Sequence, residues 1–137
     1  MNRNIKAVVF DYFGVIELFE GSINSELVSY FPKLKALGLK TGIFSNANSL
    51  LRTRLNEFGL EDLPDALVLS GEIGYQKPHK EAFRVLFEKL ELRPEEVVFI
   101  DDSAENLAKA NEIGYVPILF KDNEQVKGEL QKLGIVL

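Results

Sequence analysis

Apolar residues follow two rhythms along this chain, short unbroken runs and stripes spaced three and four apart, and the two alternate throughout. The first run, Ile5 and Ala7 to Phe10, has hardly a polar interruption. That predicts a strand buried on both faces, as in a parallel sheet covered by helices. Similar runs predict strands over residues 39–44, 65–69, 97–100 and 115–120. Between them, Leu27, Val28, Phe31, Leu34 and Leu37 have helical spacing, with Asn24 placed to cap the helix and Gly38 to close it. Pro32 inside that stripe is expected to kink the helix or split it in two. Further helices are expected over 49–58, 79–90, 103–113 and 123–133, the last weakened by Gly128. Residues 15–20 alternate like a small hairpin or flap, and 70–74 read as a loop from their two glycines.

Strands alternating with helices predict an α/β fold, a three-layer sandwich around a parallel sheet of about five strands. Right-handed crossovers then open every strand's carboxyl end on one edge. Asp11, Ser45-Asn46 and Asp101-Asp102 each directly follow a strand, and Lys77 follows the loop after another. Singly, each has a plain structural reading. Asp11 would start a turn with Gly14, Lys77 would be a solvated charge, and the two pairs would cap the helices after them. Their convergence on one edge, where open α/β sheets bind ligands, outweighs those readings. His79 is expected only to start a helix. Tyr12 divides evenly between core and pocket rim, and Asn106 between a metal's water shell and a helix surface.

Composition narrows the chemistry. A chain of 137 residues with 46% apolar and 27% charged residues suits one soluble domain spanning 1–137. A net charge of −5 without a basic cluster argues against nucleic acid, and no apolar run is long enough for a membrane span. A cytoplasmic protein is the default expectation; oligomeric state is not legible. No cysteine and a single histidine leave carboxylates as the metal-binding chemistry. They suit a hard cation such as Mg²⁺, which takes one or two carboxylates, waters and a phosphate oxygen. A carboxylate beside a bound phosphoryl group can attack it and form an acyl phosphate.

The segment Val8-Val-Phe-Asp11-Tyr-Phe-Gly-Val15 resembles the first motif of the haloacid dehalogenase-like hydrolase superfamily. Gly42-Ile-Phe-Ser45-Asn46 resembles its second, and Gly74-Tyr-Gln-Lys77-Pro78 with Phe83 its third. Val98-Phe-Ile-Asp101-Asp102-Ser103, with Asn106 and Ala110, resembles the fourth. The resemblance covers nearly the whole chain. It implies a Rossmann-like sheet and Mg²⁺-dependent phosphatase chemistry through an aspartyl-phosphate. By position it makes Asp11 the nucleophile and a metal ligand, and the Phe13 carbonyl a second ligand. Ser45 and the Asn46 N–H would bind the phosphoryl group and Lys77 would neutralise it. Asp102 would bind the metal directly and Asp101 through its waters, or the reverse.

Two departures qualify that expectation. Phosphatases of the superfamily usually carry a general acid and base aspartate two residues after the nucleophile, where this chain has Phe13. Dehalogenase members also lack it, but they typically lack the Asp-Asp pair as well. Only 34 positions separate Asp11 from Ser45, too few for the helical cap that such relatives usually carry there. The reading is a capless phosphohydrolase of slow or specialised activity on a phosphorylated small molecule or phosphoprotein. A non-catalytic phosphate- or partner-binding module and a haloacid dehalogenase-type hydrolase are its rivals.

Overall fold

The computed structural model describes residues 4–137 and centres on five parallel strands. These are β1 (Ala7–Phe10), β2 (Lys40–Ser45), β3 (Ala66–Leu69), β4 (Val97–Asp101) and β5 (Val116–Leu119), ordered β3-β2-β1-β4-β5. The helices are α1 (Ser25–Ala36), α2 (Leu50–Glu57), α3 (Ser70–Ile73), α4 (Lys80–Leu90), α5 (Ala110–Ile113) and α6 (Asn123–Lys132). Every residue of β1 and β4 is buried, which is why these segments lack polar alternation. Successive side chains of β1 enter different layers. Val8 and Phe10 join Leu27, Phe31, Leu51, Leu55, Val126 and Leu130 from α1, α2 and α6. Ala7 and Val9 join Phe83, Leu86, Leu90 and Ala110 from α4 and α5. The α/β sandwich expected from the alternating rhythms is present.

Four local expectations need correction. First, α1 runs unbroken through Pro32. One missing N–H costs less than exposing Leu27, Tyr30, Phe31 and Leu34, which the continuous helix buries. Second, residues 70–74 are not simply a loop, because Ser70–Ile73 form a helical turn. Gly71 serves close packing there. A Cβ on it would lie 2.8 Å from Asn48 Cα, and its N–H donates to the Ala47 carbonyl. Third, the helix expected over 103–113 is confined to α5, with turns before it. Asp101 Oδ1 accepts from the Ser103 N–H and Oδ2 from Asn106 Nδ2, so the side chain competes for this stretch with helical pairing. The 15–20 segment also forms no regular hairpin. Glu17 makes isolated bridges to Phe13 and Ile23, Val15 and Ile16 are buried, and Phe19 is exposed.

Strand order places the site. The chain builds outward from β1 through β2 and β3, then returns to lay β4 and β5 on the other side. The reversal between β1 and β4 opens a crevice at their carboxyl ends. Phe10 pairs with Ile100, and the Asp11 N–H donates to the Ile100 carbonyl at 2.8 Å. Asp11 and Asp101 therefore leave the sheet side by side. Between β1 and β2 the chain carries a loop and α1.

Candidate active site

Lys77 is at the centre of that crevice, its side chain fully buried. Its Nζ donates to Asp11 Oδ1 at 2.9 Å, Asp101 Oδ2 at 2.8 Å and the Phe44 carbonyl at 2.9 Å. All three ammonium hydrogens are engaged, and the Phe44 and Phe99 rings flank the nitrogen. The loop carrying Lys77 is pinned to the β2 terminus by Asn46. Its Oδ1 accepts from the Lys77 N–H at 2.8 Å, and its Nδ2 donates to the Lys77 carbonyl at 3.3 Å. Ser45 is buried just before it. Among the described residues, neither the Ser45 hydroxyl nor the Asn46 N–H has a partner within the chain. Both remain available to an anion.

Asp11, Asp101 and Asp102 each offer an oxygen, all within 4.8 Å of one another. Against Lys77 alone they leave two formal negative charges uncompensated. The Phe13 carbonyl, with no donor among the described residues, adds a neutral oxygen. An all-oxygen set with excess negative charge fits a hard divalent cation. The two neighbouring aspartates differ in freedom. Asp101 is fully buried and tied to Lys77, Ser103 and Asn106, whereas Asp102 is half-buried and its carboxyl approaches only those of Asp11 and Asp101.

Burial pushes the Asp11 carboxyl up to about 7, with Asp101 adding to the rise and Lys77 opposing it. Burial raises Asp102 as well. An ionised Asp11 therefore costs the metal-free fold stability. The raised value favours folding fully below pH about 4, and that contribution is lost as pH rises through about 7. In chelator-treated protein, Asp11→Asn should melt at nearly the parent's temperature at pH 4.5 and several degrees above it at pH 8. Calorimetry across that range checks the crossover, and a gap that shrinks with pH would contradict it.

The loop after Asp11 is rigid. The Tyr12 carbonyl accepts from the N–H groups of Val15, Ile16 and Glu17, and the Gly14 N–H donates to the Glu17 carbonyl. Gly14 has φ +87°, and a Cβ there would lie 2.1 Å from Asp102 Oδ2. Both backbone and space demand glycine. Gly14→Ala should weaken divalent-cation binding at least about tenfold, because Asp102 must move, with some loss of stability. Calorimetric cation titration checks this, and unchanged affinity would contradict it.

Each residue singled out in the sequence can now be placed. Asp11, Ser45, Asn46, Lys77, Asp101, Asp102 and the Phe13 backbone meet at one sheet edge. Tyr12 is wholly in the core, and its hydroxyl donates to Glu17 Oε1 at 2.9 Å. His79 caps α4, its Nδ1 accepting from the Glu81 N–H. Asn106 bonds Asp101 instead of facing solvent. The sequence did not disclose a part-buried clamp at the loop's flank. Glu17 Oε1 and Oε2 accept from Arg54 Nε and a terminal guanidinium nitrogen at 2.5 and 2.7 Å, fastening the loop to α2. Thirty-seven residues separate that pair, and no local pattern marks either partner.

Comparison with known proteins gives the same picture. The family model described as haloacid dehalogenase-like hydrolase matches residues 4–114. Rat bifunctional epoxide hydrolase 2 (Rattus norvegicus) is 30% identical over 133 residues, covering 88% of this chain and 24% of that protein. The chain thus spans about a quarter of that relative's length. Glyceraldehyde 3-phosphate phosphatase of Methanocaldococcus jannaschii is 30% identical over 88 residues, covering 63% of this chain and 39% of that protein. A crystal structure of an uncharacterized protein from Corynebacterium glutamicum superposes with a TM-score of 0.83 at 27% identity, covering 96% of each chain.

Proposed function

The chain belongs to the haloacid dehalogenase-like hydrolase family, and from that membership we propose that it is a Mg²⁺-dependent phosphatase-type hydrolase acting through Asp11. One observation carries the reading. Three carboxylates cluster together, two of them bonded to one ammonium, with the unpartnered Ser45 hydroxyl and Asn46 N–H on the same edge. That set matches a dianionic phosphoryl group together with a divalent cation. A Mg²⁺ ion held by Asp11, the Phe13 carbonyl and Asp102, with Asp101 on its waters, would supply the charge that offsets carboxylate and phosphate. The freedom of Asp102 and the engagement of Asp101 support that division.

Lys77 holds one oxygen of Asp11 and fixes the carboxylate's rotation toward the crevice. Ser45 and the Asn46 N–H orient the phosphoryl oxygens. Asp11 attacks phosphorus, an Asp11 O–P bond forms, and the ester P–O bond breaks. Its electron pair leaves with the alkoxide or phenoxide. Phe13 has no proton to give, so the leaving group takes one from water. Water then attacks the aspartyl-phosphate, releasing phosphate and restoring the Asp11 carboxylate. Without a positioned base that step is slow, which makes the activity slow or specialised. The substrate is a phosphorylated small molecule or phosphoprotein, met by a capless, single-domain site.

The deciding experiment pairs two assays on the parent protein. Mg²⁺-dependent phosphate release from acetyl phosphate, with acid-stable labelling of Asp11 from substrate, is the expected outcome. Metal-independent halide release from a 2-haloacid would establish dehalogenase chemistry instead. Phosphate binding without turnover would make the protein a binding module.

A further inference from the structure

We propose that the groove beside Phe13 is a leaving-group subsite for neutral, apolar or aromatic phosphate monoesters and discriminates against substrates with a second anionic group. The proposal rests on the phosphatase reading and names the substrate class of that site. The groove has a volume of about 250 Å³, and its lining includes Phe13, Ala47, Leu50, Leu51, Arg54 and Glu57. Phe13 and Ala47 place it beside the reaction centre, one lying two residues from Asp11 and the other next to Asn46.

Three features define what the groove accepts. Its floor is apolar and preorganised. The Phe13 ring is held edge-on by Tyr12, with centroids 4.9 Å apart at 90°, and Tyr12 is in turn held by Glu17. Fixing the ring before a ligand arrives removes an ordering cost from binding. Leu50, 72% exposed at the start of α2, and the buried Leu51 also line it. Exposed leucine and phenylalanine facing one groove are surface that an apolar group would remove from water.

Charge supplies the discrimination. Arg54 is the groove's cation, but its two hydrogen-bonded nitrogens are committed to both oxygens of buried Glu17. The lining itself carries one cation, Arg54, and one anion, Glu57, and the Glu17 carboxylate that pairs with Arg54 brings the local sum to one negative charge. A carboxylate or second phosphate on the leaving group would find Arg54 already paired with Glu17 and would face Glu57. A neutral ring would meet only Phe13 and Leu50.

The test uses two alkyl esters whose leaving groups are similarly basic, so that Phe13's inability to donate a proton affects them alike. Steady-state turnover with Mg²⁺ should give cyclohexylmethyl phosphate a kcat/KM at least about tenfold above ethyl phosphate, and a sugar bisphosphate a value below both. Leu50→Lys, at an exposed position, should remove the cyclohexylmethyl preference and improve the bisphosphate relative to it. An activity-independent readout accompanies these assays. Benzylphosphonate should perturb the amide resonances of Leu50 and Thr53, and methylphosphonate should leave them unmoved. Loss of acetyl phosphate turnover with those perturbations retained would sink the phosphatase reading and keep the groove. Equal kcat/KM for the two alkyl esters, or phosphonate perturbations confined to residues 45–46, would overturn the subsite. So would a preference that survives Leu50→Lys.

Discussion

Asp11→Asn is expected to lower Mg²⁺-dependent phosphate release by at least about 10⁴-fold while the fold persists, because nucleophile replacement removes the step that every later step requires. The amide matches the carboxylate in shape, and its oxygen can still accept from Lys77 as Asp11 Oδ1 does at 2.9 Å. Replacing a buried carboxylate, raised by its own burial, also relieves the metal-free fold at neutral pH. Loss of activity should therefore accompany a gain in stability, the usual relation at a site kept charged for its chemistry. Rapid-quench labelling should find no phosphoenzyme in the variant. Retention of most of the turnover would mean that another group attacks phosphorus.

Phe13→Asp is expected to raise turnover of alkyl phosphates by about 10²–10⁴-fold, the usual worth of a positioned acid and base, or about 3–5 kcal/mol of barrier. The Phe13 side chain is 44% exposed and contributes an edge contact to Tyr12, so a smaller residue leaves the core intact. The bridge to Glu17 is made by the backbone, so the carbonyl proposed as a cation ligand keeps its place. A fourth carboxyl beside Asp11, Asp101 and Asp102 would have its proton held more tightly by like charge, which suits an acid at neutral pH. The parent should favour activated aryl phosphates over alkyl ones and accumulate phosphoenzyme. The variant should narrow that ratio and shorten the intermediate's lifetime. Equal aryl and alkyl rates in the parent, with no gain in the variant, would assign proton transfer to another group.

The clamp of Tyr12, Glu17 and Arg54 ties these expectations together. It holds the loop that carries the Phe13 carbonyl and also pairs the cation of the adjoining groove with Glu17. Phe13, in the general acid's usual place, and the clamp's Tyr12 and Glu17 thus lie in one seven-residue stretch, from Asp11 to Glu17, which borders the proposed subsite.

Much of this was legible in the chain itself. Strands buried on both faces must be apolar at every position, so 7–10 and 97–100 disclosed both the parallel sheet and the ends from which Asp11, Asp101 and Asp102 emerge. Short motifs at those ends carried the site because strand termini in such a sheet share one edge. Tertiary structure alone decided three other matters. Helix α1 survived Pro32 because packing outweighed propensity, and residues 103–109 remained non-helical because Asp101 drew on Ser103 and Asn106. The different freedoms of Asp101 and Asp102 depend on Lys77, contributed by a loop 24 residues away. The Glu17–Arg54 pair and the groove it borders arise where a loop meets a helix. Periodicity reports which face of an element is buried, but the partner across the gap is set only when the layers close.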